Sequence, residues 1–226
     1  MSRTALNTSA EIFNRNITLA IQAGGFSTRM GQDKALLSFG GLPLIEFIAN
    51  RGKTLTDDLL VTTNQVELFE FLDLPLYPDR LPQRGALTGM HTALSAAQRP
   101  LVAVIGCDMP FFSPSLLAYQ AQKMNGSDID AVVPRSRDGL EPLHGVYRRD
   151  PCLKAIYIAL EKNIHSLIGW FELLRIIEIT EEQIRPYDPD SIAFMNLNTL
   201  EEYHHAEELA ALDQKKNRQA HEKTSF

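Results

Sequence analysis

From Ile17 onward the chain alternates short, continuous apolar runs with stretches of helical pattern, and this alternation limits its fold more than any other feature. The runs Ile17–Ile21, Leu59–Thr63, Leu74–Tyr77, Leu101–Ile105, Ala131–Pro134, Pro142–Tyr147 and Arg175–Thr180 are rich in Leu and β-branched residues. Polar and apolar positions do not alternate cleanly within them, as expected for strands covered on both faces. Helices are expected over Pro43–Thr54, with proline in the first turn, and over the alanine-rich Ala86–Gln98. Ser113-Pro114 and Asp150-Pro151 each place a capping side chain before a proline at the first helical position, starting helices that run to about Met124 and Asn163. Thr199-Leu-Glu-Glu202 has the spacing of a capping box and opens a last helix to about Leu212. Strands separated by helices imply parallel βαβ units with right-handed crossovers. The expected class is α/β: a three-layer, Rossmann-like α/β/α sandwich on a mostly parallel, mixed sheet, with antiparallel pairing late in the sheet.

Composition narrows the function. With 226 residues, 44% of them hydrophobic, the chain suits one domain, placed at 17–212, with an N-terminal extension at 1–16 and a polar, disordered tail at 213–226. A net charge of -6 and a sequence pI near 5.5, without a Lys/Arg block, argue against nucleic acid as a partner. Cys107 and Cys152 are too few for a disulfide framework or a cysteine zinc site and fit a reducing cytoplasm. No apolar run approaches the roughly 20 residues of a spanning helix, and the N-terminal stretch lacks the apolar core of a secretory signal. A cytoplasmic protein without a membrane partner is expected.

In such a sheet, ligands bind at the carboxyl ends of the strands. That rule selects the loops Gln22–Lys34, Pro78–Gly89 and Gly106–Phe112. The first, "QAGGFSTRMGQDKAL", contains neither the dinucleotide pattern G-x-G-x-x-G nor the G-K-[ST] of a P-loop. Adjacent Gly24 and Gly25 let the backbone approach a nucleotide and aim N–H groups at phosphate oxygens, while Arg29 and Lys34 supply charge for a triphosphate. Asp33 either orients Lys34 or caps the next element. In the third loop, Asp108 follows a buried strand and is placed to hold Mg²⁺; a turn or cap aspartate is the bland alternative. In the second, Asp79 either accepts from a base or ribose or makes a turn, and Gly85 and Gly89 allow a tight start to a helix.

The spacing G-G-x-x-x-R-M-G-x-D-K-A-L-L resembles the signature loop of the nucleotidyltransferases with a MobA-like fold, and "RMGQDKALL" is most similar to the molybdenum cofactor guanylyltransferase (MobA) family. "CDMPF" is similar to the metal-binding C-D-x-P of that family, "EPLHGVYRR" to its acceptor-side E-P-L-x-x-x-Y, and "FMNLNT" to its N-x-N-T. The matching segments run in the family's order from Ile17 to about Leu200. Two departures stand out: Gln22-Ala-Gly-Gly replaces L-A-G-G, and Gly85-Ala-Leu-Thr-Gly89 replaces G-P-L-A-G.

The resemblance implies GMP transfer from GTP to the terminal phosphate of molybdopterin, with pyrophosphate released and Mg²⁺ required. It implies nucleotide binding by Gln22, Ala23, Gly24, Gly25, Lys34, Asp79, Gly85 and Asp108, catalysis by Arg29, Lys34 and Asp108, and metal binding by Asp108. His144, Asn196 and Asn198 are the acceptor candidates it offers; a satisfied surface histidine and a strand-end turn are the structural alternatives. Other cofactor-biosynthesis proteins and molybdoenzyme apoproteins are the implied partners. Alternative readings are CTP or UTP transfer to molybdopterin, an isoprenoid phosphate or a sugar phosphate, or a non-catalytic nucleotide-binding relative. His91, His165, His204 and His205 are given no role, and Trp170 and Cys107 are expected as core and small filler.

Overall fold

The computed structural model of the chain describes residues 16–24, 33–81 and 85–224, with side chains as far as Leu212. In chain order the elements are β1 (Ile17–Gln22), β2 (Ser38–Phe39), β3 (Leu42–Pro43), α1 (Leu44–Lys53), β4 (Leu59–Thr62), the single turn α2 (Val66–Phe69) and β5 (Leu76–Tyr77). There follow α3 (Ala86–Ala96), β6 (Leu101–Gly106), α4 (Pro114–Met124), β7 (Ala131–Ser136), β8 (Gly139–Leu140), β9 (His144–Arg148), α5 (Arg149–Glu161), β10 (Ile176–Ile179), the single turn α6 (Glu181–Ile184) and α7 (Leu200–Thr224). The main sheet has the order β10-β7-β9-β6-β1-β4-β5, with β8 paired to β7 at one end. β1 pairs parallel with β4 and β6, β4 with β5, and β7 with β10; β9 runs antiparallel between β6 and β7, and β8 antiparallel to β7. All the expected strands are present, and the expected antiparallel pairing is β9.

The continuous apolar runs have the predicted cause. Leu19 and Ile21 of β1 enter one core with Ile45 and Ile48 of α1, Leu116 of α4 and Ala206 of α7. Ala20, on the opposite face, enters a second core with Leu87 and Met90 of α3, Ile156 of α5 and Trp170. Each buried aliphatic or aromatic side chain in these two layers contributes roughly 1.5–3 kcal/mol by leaving water. Trp170 is fully buried, as expected.

Three helix boundaries differ from the sequence pattern. Pro43 closes β3 and caps α1 rather than occupying its first turn. α5 begins at Arg149 with Arg148 as its cap, which places Asp150 and Pro151 inside the first turn, where a missing N–H costs nothing. Arg148 takes that position because it ends β9 opposite Leu101 while its guanidinium holds the Ile129 and Met124 carbonyls. α7 continues to Thr224 through the polar stretch expected to be disordered. That stretch contains Gln, Lys, Arg, Ala and Glu and neither Gly nor Pro, so propensity sustains the helix without an apolar face. Among the described residues no helix is long and apolar enough to cross a membrane.

Gly145 in β9 has no room for a side chain: an added Cβ would lie 2.7 Å from the Tyr147 hydroxyl and 2.8 Å from its ring. That ring is fully buried, stacked on Trp170 at 6.0 Å, and its hydroxyl donates to the Pro142 carbonyl at 2.6 Å, so it has nowhere to move. Gly145→Ala is therefore expected to destabilise the fold by roughly 1–3 kcal/mol, the range for overpacking a filled core. A shift of the denaturant midpoint at unchanged slope measures it; an unchanged midpoint would show that Tyr147 yields.

Candidate active site

The carboxyl ends of β1, β4, β5 and β6 share one edge of the sheet, and β9, running the other way, begins there. Backbone bonds extend the sheet into the loops: Cys107 N–H donates to the Gln22 carbonyl at 3.0 Å and Ala23 N–H to the Thr62 carbonyl at 2.8 Å. The loops enclose a cavity of about 430 Å³ lined by residues including Gln22, Ala23, Gly24, Lys34, Asp79, Gly85 and Asp108. The nucleotide-side expectations therefore converge, within the described residues, on one place. Gly25 and Arg29 lie outside the described residues.

Asp33 caps the single 3-10 turn Lys34–Leu36: its Oδ1 accepts from Ala35 N–H at 3.0 Å. This settles its ambiguity in favour of the cap and starts the turn that presents Lys34 to the cavity. Lys34 Nζ donates to Asn198 Oδ1 at 3.3 Å. Asn198 is itself held, because its N–H and that of Thr199 donate to Glu202 Oε2 at 2.7 and 2.8 Å, while Glu202 N–H donates to Thr199 Oγ1 at 3.1 Å. The capping box read from the sequence thus also positions an asparagine on the cavity wall. These backbone donors, that of Asn198 first, hold the Glu202 carboxyl below the usual carboxylate range.

Asp108 follows β6, and its carbonyl accepts from Leu197 N–H at 3.0 Å, tying the Asn198 segment to the same loop. Gly106 makes room for its carboxylate: a Cβ there would lie 2.6 Å from Asp108 Oδ1. Burial raises the Asp108 pKa, opposed by a bond from its own backbone and by the Lys34 charge. A carboxylate held against its hydration in this way is stabilised by any cation that joins it. The neighbouring Cys107 thiol is pushed up by burial and by the Asp108 charge, so it is a protonated wall group rather than a nucleophile.

Asp79 reaches the cavity wall but is already engaged. Its Oδ2 accepts from Asn64 Nδ2 and its Oδ1 from Thr92 Oγ1, both at 2.9 Å, while its own N–H donates to Asn64 Oδ1 at 2.9 Å. Each oxygen retains acceptor capacity toward a ligand. Thr62, Thr63 and Asn64, which carry no motif, also line the cavity. The available signal was positional: polar residues at the carboxyl end of a buried parallel strand.

His144 is a correction. It opens β9 opposite Ile105, fully buried, and is not among the residues that line the cavity. Its Nε2 accepts from Ser113 N–H at 3.0 Å, and its ring meets Phe194 edge-on at 5.1 Å. The motif position read as an acceptor contact is a core contact. Asn196 lies outside the main cavity but lines an adjoining one that shares Asn198 with it. The Nε2 of His91, a residue given no role, lies 2.9 Å from the Tyr157 hydroxyl.

A family model described as a MobA-like NTP transferase domain matches residues 19–174. A probable molybdenum cofactor guanylyltransferase of Carboxydothermus hydrogenoformans is 34% identical over 193 residues, covering 84% of this chain and 94% of that protein. A molybdenum cofactor guanylyltransferase of Desulfosudis oleivorans is 32% identical, covering 84% and 94%. Among solved structures, molybdopterin-guanine dinucleotide biosynthesis protein A from Archaeoglobus fulgidus superposes with a TM-score of 0.75 at 24% identity, over 86% of this chain and 98% of that one, a likeness of fold.

The buried His144 makes stability depend on pH. Burial pushes its pKa down to about 4 from the ordinary 6.5, so between these values the unfolded chain binds the proton and the folded chain does not. Stability from this group is complete above pH 6.5 and is lost as pH falls toward 4, a change of roughly 3 kcal/mol. His144→Gln, which keeps an acceptor for Ser113, is expected to show a shallower fall of Tm across that window. Parallel Tm–pH curves for the two proteins would refute this.

Proposed function

Because the chain belongs to the MobA-like NTP transferase family, we propose that it transfers GMP from GTP to the terminal phosphate of molybdopterin. The products are pyrophosphate and the molybdenum guanine dinucleotide cofactor, and the reaction is that of a nucleotidyltransferase. One observation carries the reading: Lys34, Asp108 and Asn198, drawn from three separate motifs, meet at a single cavity that Gln22, Ala23 and Gly24 also line. Delivery of the product to other cofactor-biosynthesis proteins and molybdoenzyme apoproteins, in the cytoplasm, belongs to the same reading.

The chemistry asks little of the protein beyond alignment and charge. A phosphate monoester has its second pKa near ~6, so the acceptor is already largely ionised at pH 7 and needs no general base. An acceptor phosphate oxygen forms the new bond to the α-phosphorus of GTP. On the opposite side the bond from that phosphorus to the bridging oxygen breaks, and its electron pair leaves with pyrophosphate. Lys34 neutralises phosphate charge, and Arg29, outside the described residues, is assigned the same task. The Gly24 amide, together with that of Gly25 outside the described residues, is assigned to the phosphates, Asp79 and Gly85 to the nucleoside, and Asn196 and Asn198 to the acceptor. His144 has no part in it.

Mg²⁺ fits the residues present. Asp108 offers a carboxylate whose burial favours a bound cation, and this ion requires only one or two carboxylates when substrate oxygens complete its shell. When bound, it supplies positive charge between the two anionic substrates.

Lys34→Ala and Asp108→Ala are each expected to lower turnover by at least ~100-fold, the scale for losing one oxyanion-stabilising group. Gly106→Ala should lower it too, by pushing the Asp108 carboxylate out of place, with Tm reported alongside. The assay is Mg²⁺-dependent pyrophosphate release with GTP or CTP, with and without molybdopterin. Release that needs GTP and the pterin together supports the proposal; turnover with CTP alone, or near wild-type rates in the Lys34 variant, would end it.

A further inference from the structure

Asp79 is held at the nucleotide cavity by two neighbours that approach from different elements. Asn64, just past β4, fixes the loop: the Asp79 N–H donates to Asn64 Oδ1 and Asn64 Nδ2 donates to Asp79 Oδ2, both at 2.9 Å. Thr92, in the second half of α3, donates from Oγ1 to Asp79 Oδ1 at 2.9 Å. The last torsion of an aspartate is soft and two-fold, so a single donor leaves the carboxylate able to turn. Two donors, one on each oxygen, hold its plane.

Thr92 differs from Asn64 in one respect. It is 1% exposed and is not among the residues that line the cavity, so it can act on a nucleotide only through Asp79. Its hydroxyl has a single proton and two acceptors in reach, Asp79 Oδ1 at 2.9 Å and the Thr88 carbonyl at 3.1 Å. The carboxylate takes the proton, because a bond to an ionised acceptor is the stronger and the Thr88 carbonyl already belongs to the helical ladder of α3. α3 is itself anchored at the adjacent residue. There His91 Nε2 lies 2.9 Å from the Tyr157 hydroxyl of α5, and the two rings meet edge-on at 5.1 Å.

We infer that Thr92 is a positioning residue for nucleotide selection: it holds the Asp79 carboxylate so that the remaining lone pairs accept from a donor group of the nucleoside. This rests on the nucleotide assignment of Asp79 proposed above. An ionised carboxylate only accepts, so the partner is an N–H of the base or an O–H of the ribose. The exocyclic amine of guanine and the two ribose hydroxyls are donors that nucleotide analogues remove one at a time.

The test is calorimetric titration of the wild-type protein, Thr92→Val, Thr92→Ala and Thr92→Ser with GTP, ITP, 2′-deoxy-GTP and 3′-deoxy-GTP, with Tm measured for each. Valine keeps the shape of threonine and alanine favours the helix, so one folded variant without the hydroxyl is enough. Loss of the hydroxyl is expected to weaken GTP by about tenfold, the scale of a bond to a charged group, and Thr92→Ser to restore it. For the analogue that lacks the donor facing Asp79, wild type and variant bind equally, which names that donor. In an Asp79→Ala background, Thr92→Val adds no further loss. Wild-type GTP affinity in the hydroxyl-free variants, or the same loss for every nucleotide, overturns the inference alone. Absence of GTP binding by the wild type overturns it together with the nucleotide reading. Guanylyl transfer to molybdopterin is measured separately: a protein that binds in this pattern yet transfers nothing refutes the reaction and leaves the role of Thr92 standing.

Discussion

The parallel pairing of β1 with β6 is the constraint on which the rest is hung. Six registered residue pairs, from Ile17 opposite Leu101 to Gln22 opposite Gly106, end at the same level. The ladder then continues for one more bond, from Cys107 N–H to the Gln22 carbonyl. A slip of one residue would turn every side chain of β1 to the opposite core and carry Gln22 and Asp108 out of step. The register is secured because Leu19 and Ile21 lie in one apolar layer and Ala20 in the other, with no polar face for a slipped strand to offer water. Core packing and site geometry therefore depend on the same set of side chains.

A second tie is less regular. The segment 194–198 has no strand or helix of its own, and is held at its two ends by different chemistry. Leu197 N–H donates to the Asp108 carbonyl, and the Thr199–Glu202 capping box fixes the start of α7 just beyond it. Further along α7, the Tyr203 hydroxyl donates to the Ser38 carbonyl and its ring meets Phe39 edge-on at 6.0 Å. Phe39 also contacts Phe111, three residues past Asp108, at 6.1 Å. The small β2–β3 hairpin thus acts as an anchor that joins the Lys34 turn, the Asp108 loop and the C-terminal helix.

The main strands and the three ligand loops were legible in the sequence because continuous apolar runs and capping motifs are local signals. The β2–β3 hairpin was not: its strands are two residues each, and their role is fixed by Tyr203, 165 residues away from Ser38. The tail lacks an apolar face, which predicts disorder, but α7 enters that stretch already nucleated and needs only favourable propensity to continue. At the site, charged and glycine residues drew attention to Lys34, Asp108 and Gly24, whereas Asn64 shows its importance only through its reciprocal bonds to Asp79.

His144 shows why a residue's place in a motif is not its role. It sits in "EPLHGVYRR", and the family resemblance makes it an acceptor candidate. In three dimensions β9 runs antiparallel, so its first residue lies at the ligand edge, yet its side chain faces the core shared by α4 and the Phe194 segment. Burial keeps the ring neutral, and neutrality is what lets Nε2 accept from Ser113 at the cap of α4. A charged imidazolium would donate from both nitrogens and lose that bond. The same ring braces Phe194, which lines the smaller cavity that shares Asn198 with the main one. His144 therefore acts through what it supports, and its neutrality serves the Ser113 cap and the Phe194 ring together.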